Sequence, residues 1–236
     1  MTQVSITGET NRAGFWKRFF QVLGGVAISG ALLFVLAGRI NWLWGWVYIG
    51  TWLLVMAGMS VIVEHLNPGH LASRAEKPKF TAKWDERLMR AYTTASYAVL
   101  VVAALDAGRF EWTSLPLWLH LVGIGCGLLA FMLNTWALSS NQFTKTHAAI
   151  QADQSHYVVK VGPYGFIRHP MYTAGAWMWI GIPLVLGSVW ALLPAGISAV
   201  LIVVRTALED RMLQAELVGY REYTQEVRFR LLPGVW

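Results

Sequence analysis

Charged residues are missing from five stretches of the chain, 19–38, 40–63, 91–105, 112–144 and 169–204, and gather in the segments between them. A membrane-spanning helix needs about 20 predominantly apolar residues to cross a hydrocarbon core about 30 Å thick, so the pattern predicts membrane spans rather than a soluble core. The last stretch would be roughly 54 Å long as one helix, too long for a bilayer. It carries Pro183 and the Gly187-Ser188 pair near its middle, and a proline that removes an amide donor marks a break there. The stretch is therefore read as a tight hairpin of two helices. The whole is an all-α, polytopic integral membrane protein of about six transmembrane helices, a single domain over 1–236. Residues 1–138 hold four spans and an interfacial loop; 139–236 hold a second loop, the hairpin and a polar tail.

Charge refines this picture. Of the 19 basic residues, only Arg39 and Arg109 fall on the side opposite the termini in a six-span arrangement. The positive-inside rule then places both termini in the cytoplasm, in a bacterial inner membrane if the source is bacterial. The net charge of +6 is explained by this asymmetry and by anionic inner-leaflet lipid, so no nucleic-acid partner is needed. Cys126, the only cysteine, lies inside a span and reads as a small core residue. The first apolar segment is longer than a signal-peptide core and is expected to remain as a helix. Trp42, Trp44 and Trp46 read as an aromatic belt at the outer surface. Asp106 is placed at the outer interface, at the end of a short third span. Gly123 and Gly127 have the spacing that lets two helices pack closely. The charged segment 64–90 is expected to lie on the inner leaflet.

Chemistry gathers on the cytoplasmic side of the second half. The loop contributes Asn141, Phe143, His156 and Tyr157; the elbow before the hairpin contributes Gly162, Tyr164, Arg168, His169 and Tyr172. Near the end of the last span, Arg205 and Glu209 are four residues apart and share a helical face, whereas Asp210 points about 100° away. Arginine and histidine at the mouth of a span are costly unless they grip something. An arginine, two histidines, acids and tyrosines together suit a zwitterionic ligand. No histidine spacing fits zinc, and neither a phosphate-cradling loop nor a dinucleotide fingerprint is present. No metal site is expected.

The run from His156 through Gly162-Pro-Tyr-Gly-Phe-Ile-Arg-His-Pro-Met-Tyr172, the Glu209-Asp210 pair and the closing Gly219 to Trp236 segment resemble the isoprenylcysteine carboxyl methyltransferase and phospholipid methyltransferase superfamily, its bacterial branch above all. The resemblance implies a membrane methyltransferase that uses S-adenosyl-L-methionine, held in a cytosolic pocket beneath a lipid-accessible tunnel. The acceptor would be a membrane lipid or amphiphilic small molecule, methylated on a carboxylate or an amine. On this likeness His156, Tyr157, Gly162, Tyr164, His169, Tyr172, Arg205 and Glu209 line the cofactor pocket. Arg168, His169 and Glu209 act on the reactants, with Arg168 orienting the acceptor or the cofactor's carboxylate. The chain departs from the family pattern at Ala174, where a glycine is usual, at Asp210, where a second glutamate is usual, and at Asn134, where an arginine is frequent. Two other readings stay open at this point: an NADPH-dependent membrane sterol or steroid reductase, and a non-catalytic lipid-binding or scaffold protein.

Overall fold

A computed structural model describes residues 3–68, 82–144 and 157–236, with side chains from residue 16 onward except 17 and 18. The elements are helices: α1 Gln3–Ala37, α2 Leu43–Leu66, α3 Lys83–Ala103 with a π-helical continuation Ala104–Phe110, α4 Leu117–Ser140, α5 Pro170–Leu186, α6 Leu192–Glu216 and the short α7 Tyr220–Glu226. Among the described residues, five helices are long and apolar enough to cross a membrane, and α5, at 17 residues, is a shorter apolar helix. Seventeen residues is at the lower end of the spanning range. The hydrophobic pattern thus yields an integral membrane bundle, as expected. Because the long helices alternate in direction, the starts of α3 and α5 and the ends of α4 and α6 meet at one end of it. That end also holds Arg168 and the carboxy-terminal tail, and is termed the basic end.

The hairpin between α5 and α6 shows why the last apolar stretch turns where it does. Pro183 stays inside α5; the helix ends four residues later, at Gly187, whose φ of +80° is left-handed. Ser188 N–H donates to Pro183 O at 3.0 Å and Gly187 N–H to Leu184 O at 3.2 Å, the paired bonds that close a helix on a glycine. The break at Gly187-Ser188 is therefore as expected, and a break at Pro183 is not.

Three readings of the far end change. Asp106 is not at the interface but fully buried, in the π-helical turn. Its Oδ2 accepts from Ser188 Oγ at 2.6 Å and Thr113 Oγ1 at 2.9 Å, while Ser188 Oγ also accepts from Ala191 N–H at 3.1 Å and so caps the start of α6. Two hydroxyls offset part of the cost of burying this carboxylate, whose Oδ1 has no hydrogen-bond partner among the described residues, and Oδ2 ties the π-helical turn to the hairpin. Of the three tryptophans, Trp42 is buried among Leu33, Ala37 and their neighbours, and Trp44 stacks on His120. Trp46 alone is largely exposed. The third span is also longer than expected, since α3 starts at Lys83 with Asp85 and Glu86 in its first turn, where the helix dipole favours acids.

The core lies between α1, α3, α5 and α6, around Leu33, Val99, Leu186 and Ile202. The two glycines of α4 behave differently. A Cβ at Gly123 would sit 2.7 Å from Val185 N and 2.9 Å from Gly181 O, so α4 and α5 touch backbone to backbone; a Cβ at Gly127 would meet nothing within 4 Å. Close helix packing is tightest between Gly123 and Gly181, and Gly127 joins it through its backbone, whose N would lie 3.3 Å from a Cβ at Gly181. Free Cys126 is buried beside them.

Candidate active site

The elbow enters the bundle through a tight 3₁₀ turn at Gly162–Gly165. Gly162 has φ +63°, and a Cβ there would lie 2.2 Å from Ser140 Oγ, so a side chain is excluded on both counts. Pro170 then occupies the first turn of α5, where its missing N–H costs nothing. This delivers Arg168 and His169 to the helix mouth as buried side chains. The tail runs across them: Arg168 N–H donates to Phe229 O at 3.0 Å and His169 N–H to Arg230 O at 2.9 Å. Thr173 Oγ1 adds a bond to Leu231 O at 2.8 Å.

At the centre stands Asp210, fully buried. Arg168 Nε lies 2.9 Å from its Oδ1 as an ion-pair contact, and Arg168 Nη2 donates to Oδ2 at 3.3 Å. Arg230 Nε donates to Oδ2 at 2.9 Å and Gln214 Nε2 to Oδ2 at 2.8 Å. Tyr220 Oη donates to Oδ1 at 3.1 Å, with His169 Nε2 3.3 Å from the same oxygen. The remaining reach of Arg168 goes to Val227 O, 3.0 Å from Nη1. One carboxylate thus joins the elbow, α6 and the tail. Burial, reinforced by the Asp210 charge, pushes the Tyr220 phenol well above its ordinary range. Burial likewise raises Tyr223, whose hydroxyl donates to Tyr164 O at 2.6 Å.

A second cluster lies one turn along. Tyr172 Oη donates a short hydrogen bond to Glu209, and the Arg205 guanidinium lies 5.4 Å from the Tyr172 ring centroid. Arg205, on the same helical face as Glu209, is also tied to α3. It pairs with the buried Asp85 of α3, Nε to Oδ1 at 2.9 Å and Nη2 to Oδ2 at 3.3 Å. The Tyr172 ring in turn stacks on His169 at 5.7 Å and 17°, which links the two clusters. Tyr172 and Arg205 also line an apolar cavity of about 260 Å³ between α2, α3, α4, α5 and α6.

Five residues singled out in the sequence, Arg168, His169, Tyr172, Arg205 and Glu209, therefore converge at the basic end. Tyr157, Gly162 and Tyr164 lie at the same end with other neighbours: exposed Tyr157 sits edge-on to Phe143 at 4.9 Å, Gly162 packs on Ser140 and Trp136, and the Tyr164 carbonyl accepts from Tyr223. His156 lies outside the described residues. The sequence reading gave no site role to Asp85, Tyr220 or Arg230, and noted Asp210 only as a member of the acidic pair. The adjacency of Asp210 to Glu209 was a local signal; apart from Gln214, four residues on, its partners come from segments 10 to 42 residues away.

Residues 118–217 match the family model of phospholipid methyltransferases. The fold is that of a solved eukaryotic intramembrane Ras methyltransferase, isoprenylcysteine carboxyl methyltransferase: the TM-score is 0.62 at 16% identity, over 100% of this chain and 88% of that one. Residues 118–217 thus carry the phospholipid methyltransferase match, within a fold shared with that intramembrane methyltransferase. The chain is an integral membrane methyltransferase. No curated protein sequence matches it. The matched segment contains the elbow, α5 and α6, and so Glu209 and Asp210, whereas Asp85, Tyr220 and Arg230 lie outside it.

Proposed function

We propose that this methyltransferase uses S-adenosyl-L-methionine to methylate a lipid or amphiphilic acceptor that reaches the basic end through the apolar cavity. One observation carries the reading: Tyr172 and Arg205 are shared between a polar cluster with a half-buried carboxylate and an apolar cavity. Polar cofactor and apolar acceptor would meet there.

The donor set fits the cofactor. Glu209 is only half-buried and accepts from Tyr172; a carboxylate has about four lone-pair sites, so it retains capacity for ribose hydroxyls or an ammonium group. Aromatic faces such as those of Tyr172 and His169 tolerate an adenine or a sulfonium. When bound, S-adenosyl-L-methionine supplies an electrophilic methyl group on sulfur. The protein's part is to align, to exclude water and to handle one proton. A carboxylate acceptor needs no base. An amine acceptor must arrive neutral or lose its proton, and Glu209 or His169 is placed to take it. Arg168 and His169 are held by Asp210 and the tail, so Arg168 fixes the elbow that presents His169 and Tyr172. Tyr157, Gly162 and Tyr164 shape its outer side, and His156 would join from the loop. The orientation belongs to the same proposal: the basic end faces the cytoplasm, in a bacterial inner membrane.

Calorimetry on the purified protein tests the cofactor site. Glu209→Gln keeps size and reach but removes charge, and a hydrogen bond to a charged group is typically worth about 1.5–3 kcal/mol. Affinity for S-adenosyl-L-methionine is expected to fall roughly ten- to a hundredfold. Glu226→Gln is the control, because exposed Glu226 pairs only at the surface with Lys160, 2.7 Å away. Equal, wild-type affinity in both variants places the cofactor elsewhere, and binding of NADPH instead turns the reading to the reductase.

A further inference from the structure

The candidate site draws on one acid from outside the segment that matches the phospholipid methyltransferase model. Asp85 lies on α3, upstream of residues 118–217, and is fully buried. It stands in the first turn of its helix, where the dipole favours an anion. Both of its oxygens reach one guanidinium: Arg205 Nε donates to Oδ1 at 2.9 Å and Nη2 to Oδ2 at 3.3 Å. A planar fork held on a carboxylate in this way has a fixed orientation as well as a compensated charge.

That orientation reaches the site through Tyr172. The Arg205 guanidinium lies 5.4 Å from the Tyr172 ring centroid, the Tyr172 hydroxyl donates to Glu209, and the ring stacks on His169. Asp85 thus heads a chain of contacts that ends on Glu209 and His169, the two groups placed to take a proton. Arg205 and Glu209 are four residues apart on one helical face, a spacing at which such side chains pair readily. Without Asp85, a largely buried guanidinium would still need an anion, and Glu209 is the carboxylate on its own face of α6. That pairing would draw Arg205 off the Tyr172 ring and occupy the lone pairs that a ribose hydroxyl or an ammonium group needs. The place of α3 in the bundle does not hang on Asp85 alone. Two turns further along, Tyr92 Oη accepts from Trp179 Nε1 of α5 at 3.2 Å.

We infer that Asp85 is a positioning residue of the methyl-transfer site: by holding Arg205 on the Tyr172 ring, it keeps the Glu209 carboxylate for the ligand. The word ligand rests on the cofactor reading above; the link from Asp85 to Tyr172 does not.

Calorimetry and fluorine NMR on the purified full chain test the two parts separately. Asp85→Asn is expected to lower S-adenosyl-L-methionine affinity by roughly ten- to a hundredfold, the loss expected of Glu209→Gln, because in both variants the Glu209 charge is no longer offered. Asp85→Glu keeps the charge and the pairing, and so the fold, but sets the fork one methylene further along; it should lose affinity too, by less. Combined with Glu209→Gln, neither Asp85 substitution should weaken binding beyond Glu209→Gln alone, since residues that act through one group are not additive. A residue that merely secures α3 would subtract its loss in both backgrounds. In the second arm, 3-fluorotyrosine at Tyr172 reports on the ring without cofactor. Both Asp85 variants should move its resonance, and Tyr92→Phe, which undoes the other tie of α3, should move it far less. Wild-type affinity in the folded Asp85 variants, or losses that add to that of Glu209→Gln, overturns the positioning role. An unmoved resonance in those variants, or an equal move in Tyr92→Phe, overturns the link to Tyr172. Failure of the wild type to bind S-adenosyl-L-methionine would instead defeat the cofactor reading, and the fluorine arm alone would then decide on Asp85.

Discussion

Asp210 and Glu209 are neighbours in the chain with opposite duties. Asp210 is fully buried and pairs with both Arg168 and Arg230 while meeting His169, Gln214 and Tyr220; Glu209 is half-exposed and meets Tyr172. Removing one partner of a buried ion pair leaves an uncompensated charge and costs about 3–5 kcal/mol. Asp210→Asn is therefore expected to lower the thermal unfolding midpoint of the purified protein by many degrees and to loosen the tail to proteolysis. Glu209→Gln should unfold like the wild type. If the two variants are equally stable, Asp210 does not hold the elbow, and the division between a structural and a functional acid fails. Five residues singled out in the sequence meet at one end of the bundle, where Arg205 also takes a partner that helical spacing does not reveal. Helical spacing correctly put Arg205 and Glu209 on one face, yet Arg205 reaches sideways to Asp85, 120 positions earlier. Azimuth alone placed Asp210 off the site, because the elbow and tail that meet its face are not visible in local periodicity.

At the level of helices, what could be read depended on whether the cause was local. The hairpin was legible because a glycine followed by a serine can end one helix and cap the next within a few residues. The burial of Asp106 was not, since the hydroxyls that satisfy it come from Thr113 and from Ser188, 82 residues away. The glycines of α4 fall between these cases. Their spacing announced a close approach, but only the partner helix decides which glycine makes it. Gly123→Ala would drive a methyl to 2.7 Å from Val185 N, and overpacking of this kind costs typically about 1–3 kcal/mol. Gly127→Ala meets open space and should be neutral or slightly stabilising, since alanine is the better helix former. Thermal unfolding of the two variants in the same detergent measures the difference. Equal midpoints would mean that α4 and α5 are not in backbone contact at Gly123.

Across the whole molecule, the two basic residues set apart by charge counting are also set apart in space. Arg39 pairs with Glu111 and donates to Ala107 O at 3.3 Å, while Arg109 donates to Leu36 O at 3.5 Å and lies over Phe110. Both are thereby held at the end of α1 and in the π-helical turn, the end of the bundle opposite Arg168. Each finds carbonyl or carboxylate partners within the protein, so neither is left to anionic headgroups. The basic end, by contrast, presents exposed Arg211, Arg221 and Arg228, and lysine or arginine near an anionic leaflet contributes about 1 kcal/mol each. The whole bundle should therefore insert with this end, the active-site candidate and both termini on the cytoplasmic side. Reporter fusions after Arg18, Lys79, Ser155 and Trp236 should all report cytoplasm, and a fusion after Glu111 the opposite compartment. Because α5 has only 17 residues, the junction at Ser155 is the informative one: if α5 does not cross, the fusions after Ser155 and Trp236 report opposite sides, and a six-span bundle with all its chemistry on one face is untenable.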